Sequence, residues 1–230
     1  MTPALLFDMD GTLVDTEHLH FSAFQTILSP HGVDLSWSDY RQFIMGHPNH
    51  AIAAHFLPHV PQDRHAGLMD DKEARYRSLV TDVSPAEGLM DLLDWADAHA
   101  IPYAVVTNAP RANAELVLEA LKVRSRFKAV VAGDEVERQK PHPMPYLTAA
   151  AAIGGDVART VAFEDSGSGL ASALAAGLQV VGVASPLDEN GLKAKGAALL
   201  IQDYRDPLLR SFLRRHLRLD EAEGATPPAV

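Results

Sequence analysis

Short apolar segments alternate with stretches of helical spacing from about residue 84 to residue 201. The stretches between the apolar segments repeat their hydrophobic residues every three or four positions, as a helix that packs on one face does. This alternation favours a parallel sheet covered by helices on both faces, because parallel strands need a crossover connection. We therefore predict an α/β fold with a Rossmann-like parallel sheet core. The predicted strands are residues 3–7, 101–107, 128–132, 160–163, 178–183 and 198–201.

Residues 15–83 interrupt this alternation. They show helical periodicity without a strand pattern, in segments 20–28, 38–45, 49–57 and 71–80. Because the interruption lies between the first strand and the rest of the sheet, we predict an all-helical cap domain inserted into the core. The core would then comprise residues 1–14 and 84–219, joined to the cap by linkers near residues 14–18 and 80–86.

The C-terminal segment 206–219 is predicted to form a last helix. Its apolar face would pack on the core, and residues 220–230 would form a flexible tail. The same segment carries four arginines that would give the helix a local positive face. The predicted apolar face comprises Leu208, Leu209, Phe212, Leu213, His216 and Leu217, and the arginines are Arg210, Arg214, Arg215 and Arg218.

The charge balance excludes some classes of partner. The 230 residues carry a formal net charge of −10, which disfavours binding to nucleic acid or to an anionic membrane surface. The chain has no cysteine, so its chemistry must use oxygen and nitrogen ligands. The first ten residues lack the basic start of a signal peptide, and no apolar run reaches the roughly 18 residues of a membrane span. We expect a cytoplasmic protein.

Two pairs of acidic residues follow predicted strands. Asp8 and Asp10 follow the first strand, and residues i and i+2 of a strand share a face. Glu164 and Asp165 follow a later strand, and the carboxyl ends of parallel strands form the edge where such sheets bind ligands. Crowded carboxylates repel unless a cation or a proton separates them. The four acids therefore predict a Mg²⁺ site, because Mg²⁺ prefers oxygen ligands and commonly bridges to substrate phosphate.

Three further residues could bind a phosphoryl group at this edge. Thr107 and Asn108 end the 101–107 strand and offer a hydroxyl and an amide, and Lys140 supplies a positive charge. The acids do not form a calcium-binding EF-hand loop, because such a loop needs an Asp or Asn in place of Thr12 and a preceding helix rather than a strand.

Four sequence pieces follow one another along the chain: Asp8-Met9-Asp10-Gly11-Thr12-Leu13-Val14, Val106-Thr107-Asn108, Lys140-Pro141, and Glu164-Asp165-Ser166 followed by Gly169. In these pieces and their order, the chain resembles the haloacid dehalogenase superfamily of phosphatases and phosphomutases. An all-helical cap after the first piece is typical of its class I subfamily, in the branch containing phosphoglycolate phosphatase, the hexose phosphate phosphatases and beta-phosphoglucomutase.

The resemblance implies roles for these residues. Asp8 would attack phosphorus and form an aspartyl phosphate, while Asp10 would protonate the leaving oxygen and later accept a proton from water. Asp8, Asp165 and the backbone carbonyl of Asp10 would hold Mg²⁺, with Glu164 at the edge of the metal site or orienting its water. Lys140 would stabilise the transferred phosphoryl group together with the hydroxyl and amide at the strand end.

The cap contributes residues whose roles the sequence leaves open. His20 either takes part in cap closure, as in the mutase branch, or packs on the hinge near Thr16. Lys72 either takes part in closure or lies on a solvated face. His47 and Asn49 lie in a segment resembling the substrate specificity loop, where beta-phosphoglucomutase has an arginine for a second phosphate. His55 and His59 are spaced for a transition metal, but without a third ligand we expect them to be solvated.

These features predict a Mg²⁺-dependent phosphatase acting on a small phosphorylated metabolite, a sugar phosphate or phosphoglycolate. The alternative is a hexose phosphate mutase similar to beta-phosphoglucomutase, although Asn49 in place of arginine counts against it. A third hypothesis is a non-catalytic domain that binds a partner through its cap or its basic C-terminal helix, which the complete catalytic set disfavours. We expect a monomer or a weak homodimer.

Overall fold

The computed structural model describes residues 1–184 and 189–219, without the side chains of residues 189 and 190. Six parallel strands form one sheet in the order β3-β2-β1-β4-β5-β6. The first strand therefore lies in the middle of the sheet and the chain winds outward to both edges. The strands are β1 (Thr2–Phe7), β2 (Tyr103–Val106), β3 (Ala129–Val131), β4 (Gly155–Glu164), β5 (Gln179–Val183) and β6 (Leu199–Ile201).

The central parts of the inner strands are buried on both faces, so residues 4–7 of β1, 103–106 of β2 and 161–163 of β4 are apolar. Successive residues of β1 enter different hydrophobic clusters: Leu5 and Phe7 pack in one, and Leu6 packs in the other. All six predicted strands are present. The fourth begins at Gly155, five residues before the predicted start, because Thr2 pairs with Gly155 ahead of an irregularity in the ladder.

Helices cover both faces of the sheet. The helices after β1 are α1 (Glu17–Leu28), α2 (Trp37–Phe43), α3 (Asn49–Phe56), α4 (His65–Leu79), α5 (Leu89–Ala98), α6 (Arg111–Ala120), α7 (Met144–Ala152), α8 (Gly167–Ala175), α9 (Glu189–Ala194) and α10 (Pro207–Leu217). The first hydrophobic cluster contains side chains of α5, α6 and α10, and the second contains side chains of α7, α8 and α9.

Helices α1 to α4 form a helical insertion between β1 and β2, with a hydrophobic cluster of its own that includes Phe24, Tyr40 and Ile52. The chain enters and leaves the insertion at one place, because the backbone N–H of Ala86 donates to the carbonyl of Leu13 at 2.8 Å. The predicted α/β fold with an inserted helical cap is thereby confirmed. Helices α1 and α4 begin three and six residues earlier than predicted.

Helix α10 packs on the sheet through Leu209, Leu213 and Leu217, which are fully buried. The prediction was wrong for Leu208, which is 61% exposed. Asp206 caps the helix by accepting from the backbone N–H of Leu208, and in this first turn Leu209 faces the core while Leu208 faces solvent. Of the four arginines, Arg210 lies over the Trp95 ring at 5.1 Å. The predicted tail, residues 220–230, lies outside the described residues.

Candidate active site

The carboxyl end of β1 carries Asp8 into a crevice at the sheet edge and turns the chain at Gly11. Gly11 has φ +77°, which favours glycine. A Cβ at this position would overlap the carboxylate of Asp165, which follows β4. The absence of a side chain at Gly11 therefore allows the ends of β1 and β4 to approach each other. The sequence had predicted that the acids following these two strands would lie close together.

Lys140 lies between two carboxylates. Its Nζ donates to Oδ1 of Asp8 and to Oε1 of Glu164, both at 2.6 Å. Lys140 is 3% exposed and Glu164 is fully buried. Because buried charges are costly unless paired, this arrangement fixes the ammonium beside Asp8. The hydroxyl of Tyr146 also donates to Oε1 of Glu164 at 2.6 Å.

The oxygen ligands at this edge suit a hard divalent cation. Ligand atoms of Asp8, Glu164 and Asp165 lie within 4.8 Å of one another, the one such group of three among the described residues. Burial raises the pKa of Asp8 from 3.8 to about 7, although the Lys140 ammonium opposes the shift. Burial and the Asp8 and Glu164 carboxylates raise the pKa of Asp165 well above its ordinary value. Such shifts indicate carboxylates that need a bound cation to remain ionised together.

Glu164 makes more protein contacts than the other two acids of this group. Its Oε1 accepts from Lys140 and Tyr146, and its Oε2 accepts from the hydroxyl of Ser166 at 3.2 Å. A Cβ at position 169 would overlap this carboxylate, which explains Gly169 in the first turn of α8. Ser166 caps that helix by accepting from the N–H of Gly169, as expected of a segment that opens a helix near the site.

Asn108 holds the backbone of Lys140 from both sides. Its Oδ1 accepts from the N–H of Lys140 at 3.0 Å, and its Nδ2 donates to the carbonyl of Lys140 at 3.2 Å. Thr107 is buried beside it, and its hydroxyl oxygen accepts from the N–H of Ala109. The hydroxyl proton of Thr107 remains available to a phosphoryl oxygen. The amide of Asn108 positions the lysine, a contact that the sequence did not predict.

Asp10 is surrounded by donors from the helical insertion and its linker. Its Oδ1 accepts from the hydroxyls of Thr16 at 2.5 Å and Tyr76 at 3.2 Å, and lies 3.3 Å from Nε2 of His20. Burial acts to raise the pKa of Asp10, but His20 and the hydrogen bonds from His20 and Thr16 outweigh it and hold the pKa below its ordinary value. The His20 ring also stacks on Tyr76, with centroids 3.9 Å apart.

A polar network connects this histidine to the rest of the insertion. Nζ of Lys72 lies 3.1 Å from Nδ1 of His20 and donates to Oε1 of Glu73 at 3.0 Å. The same oxygen accepts from Nδ2 of Asn49 at 2.6 Å, and Oε2 of Glu73 accepts from Nδ2 of Asn113 at 2.6 Å. The solvated alternative for Lys72 is wrong, because the residue is 3% exposed. Since Asn113 belongs to α6, the network also joins the insertion to the core.

The loop before α3 lies against the core. A Cβ at Gly46 would be 3.2 Å from Cβ of both Ser166 and Ser168 at the start of α8. His47 is exposed, and its Nδ1 lies 3.0 Å from the carbonyl of Met45. The predicted loop residue His47 therefore contacts its own loop, whereas Asn49 contacts α4. His55 and His59 are exposed, as expected; the ring of His55 stacks on Phe43, and the ring of His59 lies near His31.

Two adjoining cavities lie between the insertion and the sheet edge. The inner cavity has a volume of about 310 Å³ and is lined by Asp8, Asp10, Lys140, Asn49 and other residues of both regions. The outer cavity is about 1020 Å³ and shares the loop around Gly46 with the inner one. All the predicted site residues line the inner cavity except Glu164, which lies behind Lys140.

The family model for haloacid dehalogenase-like hydrolases matches residues 5–183. The chain belongs to the haloacid dehalogenase-like hydrolase family. This confirms the resemblance stated from the four sequence pieces, and it makes the chain an enzyme rather than a non-catalytic binding domain. Within the described residues, no helix is long and apolar enough to cross a bilayer.

Relatives within the haloacid dehalogenase-like hydrolases include sugar phosphate enzymes. The chain is 38% identical to the protein CbbY of Rhodobacter capsulatus, over 77% of this chain and 83% of the relative. It is 36% identical to a fructose-1-phosphate phosphatase of Escherichia coli, over 78% and 95%. CbbY of Rhodobacter sphaeroides, solved with phosphate and as a mutant with xylulose-(1,5)bisphosphate, is 30% identical with a TM-score of 0.78, covering 90% of this chain and 96% of that one.

Several residues at this hydrolase site were missed by the sequence reasoning. Tyr76 lies four residues after Lys72 on α4 and is buried with it, but polar residues surround both positions in the sequence and no apolar stripe marks that face. Glu73 and Asn113 meet only through the packing of α4 on α6, and Tyr146 reaches Glu164 from α7. The sequence signal that could have found them is the adjacent Lys72–Glu73 pair, with Tyr76 one helical turn later. Such a pattern does not by itself indicate that the side chains are buried.

Proposed function

We propose that the protein is a Mg²⁺-dependent phosphatase that hydrolyses a small phosphorylated metabolite, a sugar phosphate or phosphoglycolate. The observation that carries the proposal is the Asp8 carboxylate, which lies 2.6 Å from the Lys140 ammonium in the inner cavity and within a group of three acids. A carboxylate beside a fixed cation suits nucleophilic attack on a phosphoryl group. The phosphatase named among the relatives supports the same reaction class.

In the first step, an oxygen of Asp8 attacks phosphorus and the bond from phosphorus to the leaving oxygen breaks. The product is an aspartyl phosphate and a free alcohol. Lys140 faces the developing negative charge on the phosphoryl oxygens, and the hydroxyl of Thr107 donates to one of them. In the second step, water attacks the same phosphorus, the bond to Asp8 breaks, and inorganic phosphate leaves.

Asp10 moves the proton in both steps. It gives a proton to the leaving oxygen in the first step and takes one from water in the second. The low pKa of Asp10 favours the second role, and the arriving phosphate dianion raises this pKa toward the value that the first role needs. Nε2 of His20 lies 3.3 Å from Oδ1 of Asp10 and orients that carboxylate.

The donor set fits Mg²⁺, since it consists of carboxylate oxygens with raised pKa values. Asp8, Asp165 and the backbone carbonyl of Asp10 would hold the ion, with Glu164 at the edge. When bound, Mg²⁺ neutralises the phosphoryl oxygens and compensates the crowded carboxylates. Glu164 has a further role through the chain itself, because its contacts to Lys140 and Tyr146 hold the lysine beside Asp8.

The insertion, residues 15–83, acts as a cap over the core of residues 1–14 and 84–219. The contact of Gly46 with the start of α8 supports a closed arrangement that excludes bulk water from the inner cavity. His20, His47 and Asn49 line that cavity from the cap side and would contact the leaving group. We further propose a cytoplasmic enzyme that acts as a monomer or weak homodimer.

Release of inorganic phosphate from a panel of phosphorylated metabolites and from para-nitrophenyl phosphate tests the proposal. Activity should need Mg²⁺ and be lost on chelation with EDTA. Incubation with glucose 1-phosphate and a trace of glucose 1,6-bisphosphate tests the mutase alternative. Formation of glucose 6-phosphate without free phosphate would favour the mutase, and no turnover of any substrate would contradict both.

A further inference from the structure

The cap side of the inner cavity carries little net positive charge. Among the described lining residues, the cap side contributes two acids, one lysine and two histidines, and the whole cavity has six acids against four residues that can be cationic. The ammonium of Lys140 forms ion pairs with the carboxylates of Asp8 and Glu164 at the strand ends, and His47 is exposed to solvent. The acids are Asp8, Asp10, Glu17, Glu73, Asp134 and Asp165, and the cationic or titratable bases are His20, His47, Lys72 and Lys140.

Lys72 is the one cap-side lysine of this cavity, and its ammonium has its partners within the protein. It donates to Oε1 of Glu73, lies 3.1 Å from Nδ1 of His20, and lies over the ring of Phe24 at 4.4 Å from the centroid. Its 3% exposure leaves little surface for direct contact with a phosphate, so Lys72 would act on an anion in the cavity through its charge. Glu73 therefore cancels the charge that would otherwise attract a second anionic group.

Glu73 also fixes what the loop presents to a ligand. Asn49 uses one amide hydrogen for Oε1 of Glu73, and this is its one side-chain hydrogen bond in the part of the chain that the structure describes. The second amide hydrogen and the carbonyl oxygen remain for a ligand. A group that donates and accepts at once, such as a sugar hydroxyl, matches this pair, whereas a phosphate has only acceptors at its ionised oxygens.

We infer that Glu73 is a specificity-determining residue that selects substrates with a single phosphate and an uncharged, hydroxyl-bearing leaving group, and that it rejects bisphosphates. This inference rests on the proposed phosphatase function and narrows its substrate class. A second phosphate in the inner cavity would bring a charge of about −1.5 to −2 near the Glu73 carboxylate, which is part of the cavity lining. The apolar side chains of Phe24 and Ile52, also in the cavity wall, cannot offset that repulsion.

Matched substrate pairs provide the test. Fructose 1-phosphate and fructose 1,6-bisphosphate differ by one distal phosphate, as do glucose 6-phosphate and glucose 1,6-bisphosphate. We expect the wild-type kcat/KM to favour the monophosphate of at least one pair by about tenfold or more. Equal or better hydrolysis of both bisphosphates would overturn the inference.

The variant Glu73→Gln removes the charge while keeping one acceptor oxygen. The ammonium of Lys72 is then uncompensated, so the ratio of monophosphate to bisphosphate kcat/KM should fall by about tenfold, mainly through a lower KM for the bisphosphate. Glu73→Asp keeps the charge and should keep the preference. Asp71→Asn, an exposed change on the same helix, is the control and should leave the ratio unchanged. An unchanged ratio in a folded Glu73→Gln variant would overturn the inference.

The outer cavity offers a competing location for a second phosphate, because Arg41 and Lys195 line it. If the wild type accepts bisphosphates and Arg41→Ala abolishes this, the distal phosphate binds in the outer cavity and the inference is wrong.

A binding measurement distinguishes failure of this inference from failure of the proposed phosphatase function. In Asp8→Asn, calorimetry should give a lower Kd for the monophosphate of a pair even if the wild type hydrolyses neither. Equal Kd values for the monophosphate and the bisphosphate would overturn the inference. This comparison does not need the Glu73→Gln variant, so it tests the inference even if that variant fails to fold.

Discussion

The two sides of the inner cavity are held in different ways. The strand-end side consists of Asp8, Thr107, Glu164 and Asp165, whose positions follow from hydrogen-bonded neighbouring strands. The cap side consists of His20, Asn49, Lys72 and Glu73, which belong to three helices joined by side-chain hydrogen bonds. A strand end can move only if the sheet deforms, whereas a side-chain network can be rewired by single substitutions. The strand-end side should therefore control whether reaction occurs, and the cap side should control which substrate reacts.

Replacement of the nucleophile should have the largest effect. Asp8→Asn keeps the size of the side chain but removes the attacking oxygen anion, so turnover should fall by at least about 10³-fold. Phosphate release measures this, and circular dichroism should report an unchanged fold. Near-normal turnover would break the assignment of chemistry to the strand-end side.

Removal of the positive charge between the two buried carboxylates should have the second-largest effect. Lys140→Met leaves Asp8 and Glu164 uncompensated, so the free energy of unfolding should fall by about 3–5 kcal/mol and turnover by about 10²-fold or more. Urea denaturation and phosphate release measure the two effects. The double variant Lys140→Met with Glu164→Gln should recover part of the stability without recovering turnover, and recovery of neither or of both would contradict this account.

Metal binding should depend on pH through the strand-end carboxylates. Burial raises the pKa of Asp8 to about 7, so the metal-free site holds a proton below that pH and Mg²⁺ must displace it. The Kd for Mg²⁺ should therefore rise about tenfold for each unit that the pH falls below about 7. Calorimetry between about pH 5.5 and pH 8 measures this slope. Asp8→Asn should make the slope shallower and leave the contribution of Asp165, whose pKa burial also raises. A flat wild-type profile would exclude titration of Asp8.

Loss of the hydrogen bond from Asn113 to Glu73, which joins the insertion to the core, should have the smallest effect. Asn113→Ala removes the partner of Oε2 of Glu73 and of Arg77, so the free energy of unfolding should fall by about 1–3 kcal/mol. KM should rise several-fold with kcat nearly unchanged, because the strand ends are untouched. Arg75→Ala, an exposed change on α4, is the matched control. A large loss of kcat in Asn113→Ala would erase the proposed division between the two sides.

The sequence predicted the strand-end side of the cavity best, because the functional acids there directly follow strands that local hydrophobic periodicity identifies. Asp8 and Asp165 were predicted to meet because each follows an apolar strand, and the carboxyl ends of parallel strands share an edge. Their convergence, the parallel sheet and the helical insertion all appear in the structure. The start of β4 at Gly155 was missed, because the pairing of Thr2 with Gly155 depends on a partner more than 150 residues away.

On the cap side, the sequence identified residues but not their partners. Asn49 and Lys72 were both chosen, yet nothing local indicated that one carboxylate, Glu73, binds both. Asn108 was predicted to contact a phosphoryl group, and its observed contacts are to the backbone of Lys140. That role for Asn108 toward the substrate stays a prediction.

The family, the alternation of strands and helices along the chain, and the acids at the strand ends could all be predicted from the sequence. These features depend on short motifs and on residue spacing within single strands or helices, which can be recognised without knowing how the helices pack. The burial of Lys72, its neutralisation by Glu73 and the contact of Asn113 with the insertion became evident in the three-dimensional structure. Such contacts depend on how helices pack across the cavity, and burial strengthens each electrostatic interaction that this packing creates.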